Sequence, residues 1–89
     1  MRFDVGSTNS AGQITTAPDR VQVVEFHARS NNTGAVYVGR SDVSTINGRE
    51  MPPGESYSLN FDNGTVSFSD WHVAFEYAGD YIDWTVILP

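Results

Sequence analysis

From Ser56 onward the chain alternates apolar and polar positions. Tyr57, Leu59 and Phe61 interleave with Ser56, Ser58 and Asn60, and Val66 and Phe68 with Thr65, Ser67 and Ser69. Trp71, Val73, Phe75 and Tyr77 then alternate with His72, Ala74 and Glu76, and Ile82, Trp84, Val86 and Leu88 with Tyr81, Asp83, Thr85 and Ile87. A period of two sends successive side chains to opposite faces of a strand, so each run predicts a strand with one buried face. Asp62-Asn63-Gly64 and Ala78-Gly79-Asp80 separate the runs and predict hairpin turns.

The first half is less regular. Residues 1–12, MRFDVGSTNSAG, are rich in Gly, Ser, Thr and Asn and predict a flexible N-terminal arm, with Phe3 and Val5 its only large apolar side chains. Removing residues 1–11 is therefore expected to leave the fold intact. Residues 13–89 make the single folded domain. Gln13 to Ala17 predicts a short edge strand stopped by Pro18, and RVQVVEFHAR at 20–29 a longer one. Its apolar phase starts on Val21 and Val23 and moves to Val24, Phe26 and Ala28, which requires a bulge near Val23–Val24. Asn31-Asn32-Thr33-Gly34 turns the chain into a strand at Ala35 to Gly39, with Tyr37 opposite Val36 and Val38. Residues 40–55 carry little periodicity beyond a short strand at Val43 to Ile46. Asn47-Gly48 favours a tight turn and Pro52-Pro53-Gly54 cannot pair within a sheet, so this segment is the expected contact loop.

Short strands joined by Gly and Asn turns, with no sustained helical period, place the chain in the all-β class as a small antiparallel β-sandwich, jelly-roll-like. Strand order is not written in periodicity. The net charge of −6 argues against a nucleic-acid partner and against an anionic membrane surface. All five basic residues are Arg, a side chain suited to bidentate pairing at interfaces. There is no Cys for a disulfide. In a chain of 89 residues that points to a subunit interface as a further source of stability. The first residues form no secretory signal and no segment is apolar enough to span a bilayer. Asn31-Asn32-Thr33 and Asn63-Gly64-Thr65 match the glycosylation pattern, which turn composition accounts for.

Candidate chemistry is sparse. His72, Glu76 and Asp83 fall on polar phases of neighbouring segments, but a zinc site needs three or four converging ligands. His27 with Glu25 is weaker still, and Asp62-Asn63-Gly64 lacks the alternating ligands and closing Glu of a calcium loop. No nucleophile elbow, phosphate loop or Ser/His/Asp spacing is present, so the expectation is a non-enzyme with no cofactor and no metal. Trp71, Phe75, Tyr77, Tyr57, Phe61, Phe68 and Trp84 lie on apolar phases and read as core. Tyr37, Tyr81 and Ile87 lie off phase and are candidate anchors for a partner.

The stretch Asn32 to Leu59, with Val36-Tyr37-Val38-Gly39, Val43-Ser44, Gly48 and Pro53-Gly54-Glu55-Ser56, and a late Trp followed by a β-hairpin over Trp71 to Leu88, resemble small structural proteins of tailed bacteriophages. The resemblance implies a virion protein of β-sandwich type, a capsid decoration (cement) protein made in the host cytoplasm and bound to the outer capsid surface. It implies a homotrimer and the major capsid protein as partner. The family pattern supplies no capsid-binding motif. The candidate partner-binding residues are therefore those of the arm and loop, Phe3, Val5, Arg40, Asp42, Arg49, Glu50 and Met51, with the off-phase Tyr37 and Tyr81. A head–tail or tail-tip module and a small carbohydrate-binding module are the alternatives.

Overall fold

The computed structural model describes residues 2–14, 20–60, 66–67 and 71–88, with backbone alone for Arg2, Phe3, Val66 and Ser67. The regular structure of the described residues is entirely strand: β1 (Arg2–Thr8), β2 (Gly12–Gln13), β3 (Arg20–Val21), β4 (Val23–Ala28), β5 (Val36–Gly39), β6 (Arg49–Met51), β7 (Ser56–Asn60), β8 (Val66–Ser67), β9 (His72–Phe75) and β10 (Ile82–Leu88). β1 pairs with β10, β2 with β9, β3 with β8, β4 with β7 and β5 with β6, all antiparallel. The chain is thus one long hairpin folded about residues 40–48. Two more antiparallel ladders, β10 with β4 and β9 with β5, roll that hairpin up. The result is sheet A, in the order β1-β10-β4-β7, and sheet B, in the order β2-β9-β5-β6, with β3 and β8 as a two-stranded extension. This double-sheet antiparallel winding is that of a jelly roll, where the alternation implied only an antiparallel sandwich.

Within this winding β1 and β2, β4 and β5, β6 and β7, and β9 and β10 follow one another in the chain yet lie in different sheets. Their short connections are arches across the core. The expected hairpin at Ala78-Gly79-Asp80 is one of them: the turn residues reverse the chain, but β10 returns in the opposite sheet. The backbone groups that a hairpin ladder would pair are satisfied by side chains instead. The buried Asp80 carboxylate accepts from Thr33 N at 2.8 Å and Gly34 N at 2.9 Å. Asn32 accepts from Tyr81 N at 2.9 Å and donates to Tyr81 O at 2.8 Å. Glu76 N donates to Ala35 O, and Glu76 Oε1 accepts from Ala35 N at 3.1 Å. A β-turn at Pro52 to Glu55, with Gly54 at φ +87°, makes another arch and hangs on Ala28 through two main-chain bonds. The other expected hairpin, at 62–64, lies outside the described residues.

The core is the space between the sheets. Val24, Phe26, Ala28, Ile82, Trp84 and Val86 of sheet A face Val36, Val38, Met51 and Val73 of sheet B, and Trp71 meets Phe26 edge-on at 5.8 Å. Val21 and Val24 are both fully buried, so the phase shift expected near Val23–Val24 occurs at Gln22, a bend whose N–H reaches Ile87 O at 2.9 Å. Tyr77 is a correction. β9 ends at Phe75, the period stops there, and the ring is half exposed.

Residues 2–8 are a second correction. They form no arm but pair with β10 along their whole length, Arg2 with Leu88 to Thr8 with Ile82. Their polar composition is that of an edge strand. Gly6 is also required by packing: a Cβ there would lie 2.6 Å from Trp84 Nε1. The expected edge strand at 13–17 is reduced to Gly12–Gln13 with the buried Ile14 bonded to Trp71 O, and 15–17 lie outside the described residues. The four short arches share one end of the sandwich. Residues 40–48, the start of β1 and the end of β10 share the other.

Candidate docking surface

Residues 40–48 form the apex of the rolled hairpin and are held more tightly than their composition suggests. Val43 N donates to Arg40 O at 3.0 Å, starting a first turn. Ser44 and Asn47 then exchange two main-chain bonds of 2.9 and 3.1 Å, leaving Thr45 and Ile46 as the two residues of a tight turn. The expected strand at Val43 to Ile46 is therefore one bridge, and the tight turn falls two residues before Asn47-Gly48. Asn47 Nδ2 ties the loop shut by donating to Asp42 Oδ2 at 3.1 Å. Gly48, at φ +127°, closes the loop onto β5. A Cβ there would sit 2.6 Å from Val43 Cγ2 and 3.1 Å from Val38 O, so only glycine fits.

The loop presents Ile46 at its tip with 95% of its surface exposed, and Arg40 and Asp42 beside it, both exposed. A β-branched apolar side chain in the centre of a turn gains nothing from the fold, while the surrounding hydrogen bonds fix where it points. Ile46 was not among the sequence candidates. The available signal was a lone large apolar residue inside the polar run Ser44 to Arg49.

The other candidates do not gather around it. Arg49 and Glu50 belong to β6, a strand the sequence pattern did not reveal. Arg49 stacks on the Tyr57 ring at 4.5 Å and meets Glu55 Oε1 at 3.3 Å, so it fastens the edge of sheet B to that of sheet A. Met51 is fully buried opposite Val36 and is a core residue, because its register puts it on the inner face of β6. Tyr37, half-buried on the outer face of sheet B, lies between Glu50 and Ala74. Partial desolvation, then the charges of Glu50 and Glu76, raise its hydroxyl pKa above the ordinary 10.0. Tyr81 sits at the arch end of the molecule under the Arg29 guanidinium, 4.2 Å from its centroid. The same guanidinium binds Asp83 through two bonds of 2.9 Å, which raises its own pKa. Val5 is exposed on β1, and Phe3 is paired in register with Ile87.

His72, Glu76 and Asp83 are not brought together, since β9 and β10 are in different sheets and the two acids are engaged with Ala35 and Arg29. Among the described residues no three His, Asp or Glu side chains gather as metal ligands. Glu25 and His27 instead meet Ser58 and Ser56 across the β4–β7 ladder. No protein-family model, curated protein or solved structure matches this chain.

Proposed function

We propose that this chain is a non-enzymatic virion protein of the capsid-decoration type, which seats the 40–48 loop on the outer surface of a phage capsid. The observation that carries the reading is the pinned loop with Ile46 almost fully exposed at its apex. A rigid apolar tip loses little conformational freedom on docking, which is what a small contact needs to contribute net affinity. Burying one Ile side chain contributes roughly 2 kcal/mol. Arg40 and Asp42 beside it supply polar contacts at the rim, and neither is bound into the core. The resemblance of Asn32 to Leu59 and of Trp71 to Leu88 to phage structural proteins supports the capsid as partner.

A contact this small is weak by itself, and a homotrimer presenting three tips multiplies it through effective concentration. Among the described residues the exposed large apolar side chains, Val5, Ile46 and Tyr77, stand singly, which suits a protein that works on a protein lattice without nucleic acid or membrane. Mass spectrometry of purified virions, scaled to the major capsid protein, tests the reading. Hundreds of copies per virion is the expected result. A handful of copies would transfer the protein to the head–tail junction or tail tip, and its absence from virions would overturn a virion role.

A further inference from the structure

Among the described residues β1 is the outer strand of sheet A, and one row of its main-chain groups has no described strand beside it. In an antiparallel ladder each residue turns its N–H and C=O to the same neighbour, and successive residues alternate. Ile87 O accepts from Gln22 N, which turns Ile87, Thr85 and Asp83 toward β4 and leaves Leu88, Val86, Trp84 and Ile82 to bond β1. Their partners Arg2, Asp4, Gly6 and Thr8 face β10, and the main-chain groups of Phe3, Val5 and Ser7 face outward. The Val5 N–H is nonetheless occupied: it donates to Asp4 Oδ1, the carboxylate of its own neighbour, at 2.9 Å. The Val5 side chain beside it is 63% exposed.

This edge is complementary to itself. A second β1 laid antiparallel about Val5 sets Val5 opposite Val5 and Phe3 opposite Ser7, so every outward group meets an outward group. Two A sheets would join into one, and the exposed valines would cover each other. That pairing needs the Val5 N–H at its centre, once from each copy, and both are taken by Asp4. The two Asp4 carboxylates would also become diagonal neighbours of like charge.

We infer that Asp4 is an edge guard: by occupying the Val5 N–H it stops β1 from adding to β1 of a second copy. The guard operates whatever the chain docks to. It matters most for a protein held at high local concentration, where an open edge leads to unwanted sheet extension.

Sedimentation velocity across a concentration series tests the guard. Asp4→Ala frees the donor in both copies and is expected to form species of twice the wild-type mass at concentrations about a hundredfold lower, the factor that two hydrogen bonds of ~1.4 kcal/mol each correspond to. Asp4→Asn keeps an amide oxygen as acceptor and should sediment as the wild type does. Adding Val5→Pro to Asp4→Ala removes the donor at an outward edge position that tolerates proline, and should restore the wild-type mass. Wild-type mass for folded Asp4→Ala overturns the inference, as does association of Asp4→Asn equal to that of Asp4→Ala. Amide exchange on the wild type gives an independent reading. Protection at Val5 supports the guard, and exchange at the free rate overturns it.

Discussion

At the residue scale, the same kind of position serves opposite ends depending on what lies across the ladder. Met51 and Ile46 are five residues apart in one irregular stretch, yet Met51 is sealed between the sheets and Ile46 projects into solvent. Met51→Ala is expected to cost about 3 kcal/mol, the usual range for emptying a buried Met site, read as a lower urea midpoint. Asp80 is the polar counterpart. Asp80→Ala leaves the Thr33 and Gly34 N–H groups without their acceptor, and loss of about 3 kcal/mol by the same measurement is expected. Tyr37 adds a pH dependence. Its pKa is raised in the folded state, so the folded chain holds that proton more tightly than the unfolded one. The corresponding stability is complete below the unfolded value of 10.0 and is lost as pH rises through the higher folded value. The urea midpoint should therefore fall more between pH 9 and pH 11 for the wild type than for Tyr37→Phe.

At the element scale, legibility followed burial. β10, β9 and the first part of β7 were visible because their alternation is imposed by a core on one side, and Ile82, Trp84, Val86 and Val73 are buried as their phase requires. β1 and β6 were not visible, because edge strands need no sustained apolar stripe: their partners β10 and β5 carry most of the core residues, and β6 adds Met51 alone. Arg49 illustrates this. It looked like a loop charge, but its register beside Val38 and its stack on Tyr57 make it part of the sandwich edge. The consequence for β1 is testable. Deleting residues 1–8 should expose the β10 edge and the Trp84 indole that Gly6 lies against. A large loss of stability, seen as a lower melting temperature or insoluble protein, is expected in place of the neutral outcome an arm would give. Unchanged melting would return residues 1–8 to the status of an arm.

For the whole molecule, the periodicities fixed the class, all-β with two packed faces, but left open which strands pair. Asp80 and Asn32 show why. The Ala78-Gly79-Asp80 signal marks a reversal, while the long-range bonds joining Asp80 and Tyr81 to residues 32–34 hold it as an arch into the other sheet. Those contacts join positions far apart in sequence, where local pattern carries no information. The same winding places every short arch at one end and leaves the 40–48 apex at the other. Of the candidate surface, Arg40 and Asp42 were legible as exposed loop charges. Ile46 at the tip of the same loop was not, since its exposure depends on a turn set two positions earlier than the Asn-Gly signal indicated.

The docking proposal concentrates on that apex, so the direct measurement is co-sedimentation of the protein with purified capsids lacking it, comparing wild type with Ile46→Asp. The Ile46 side chain is 95% exposed, and the substituted protein should keep the wild-type unfolding free energy in urea within about 0.5 kcal/mol. Its attachment should weaken at least about thirtyfold per contact, the equivalent of the ~2 kcal/mol that burying Ile contributes. Undiminished attachment of folded Ile46→Asp would contradict the loop as the docking element.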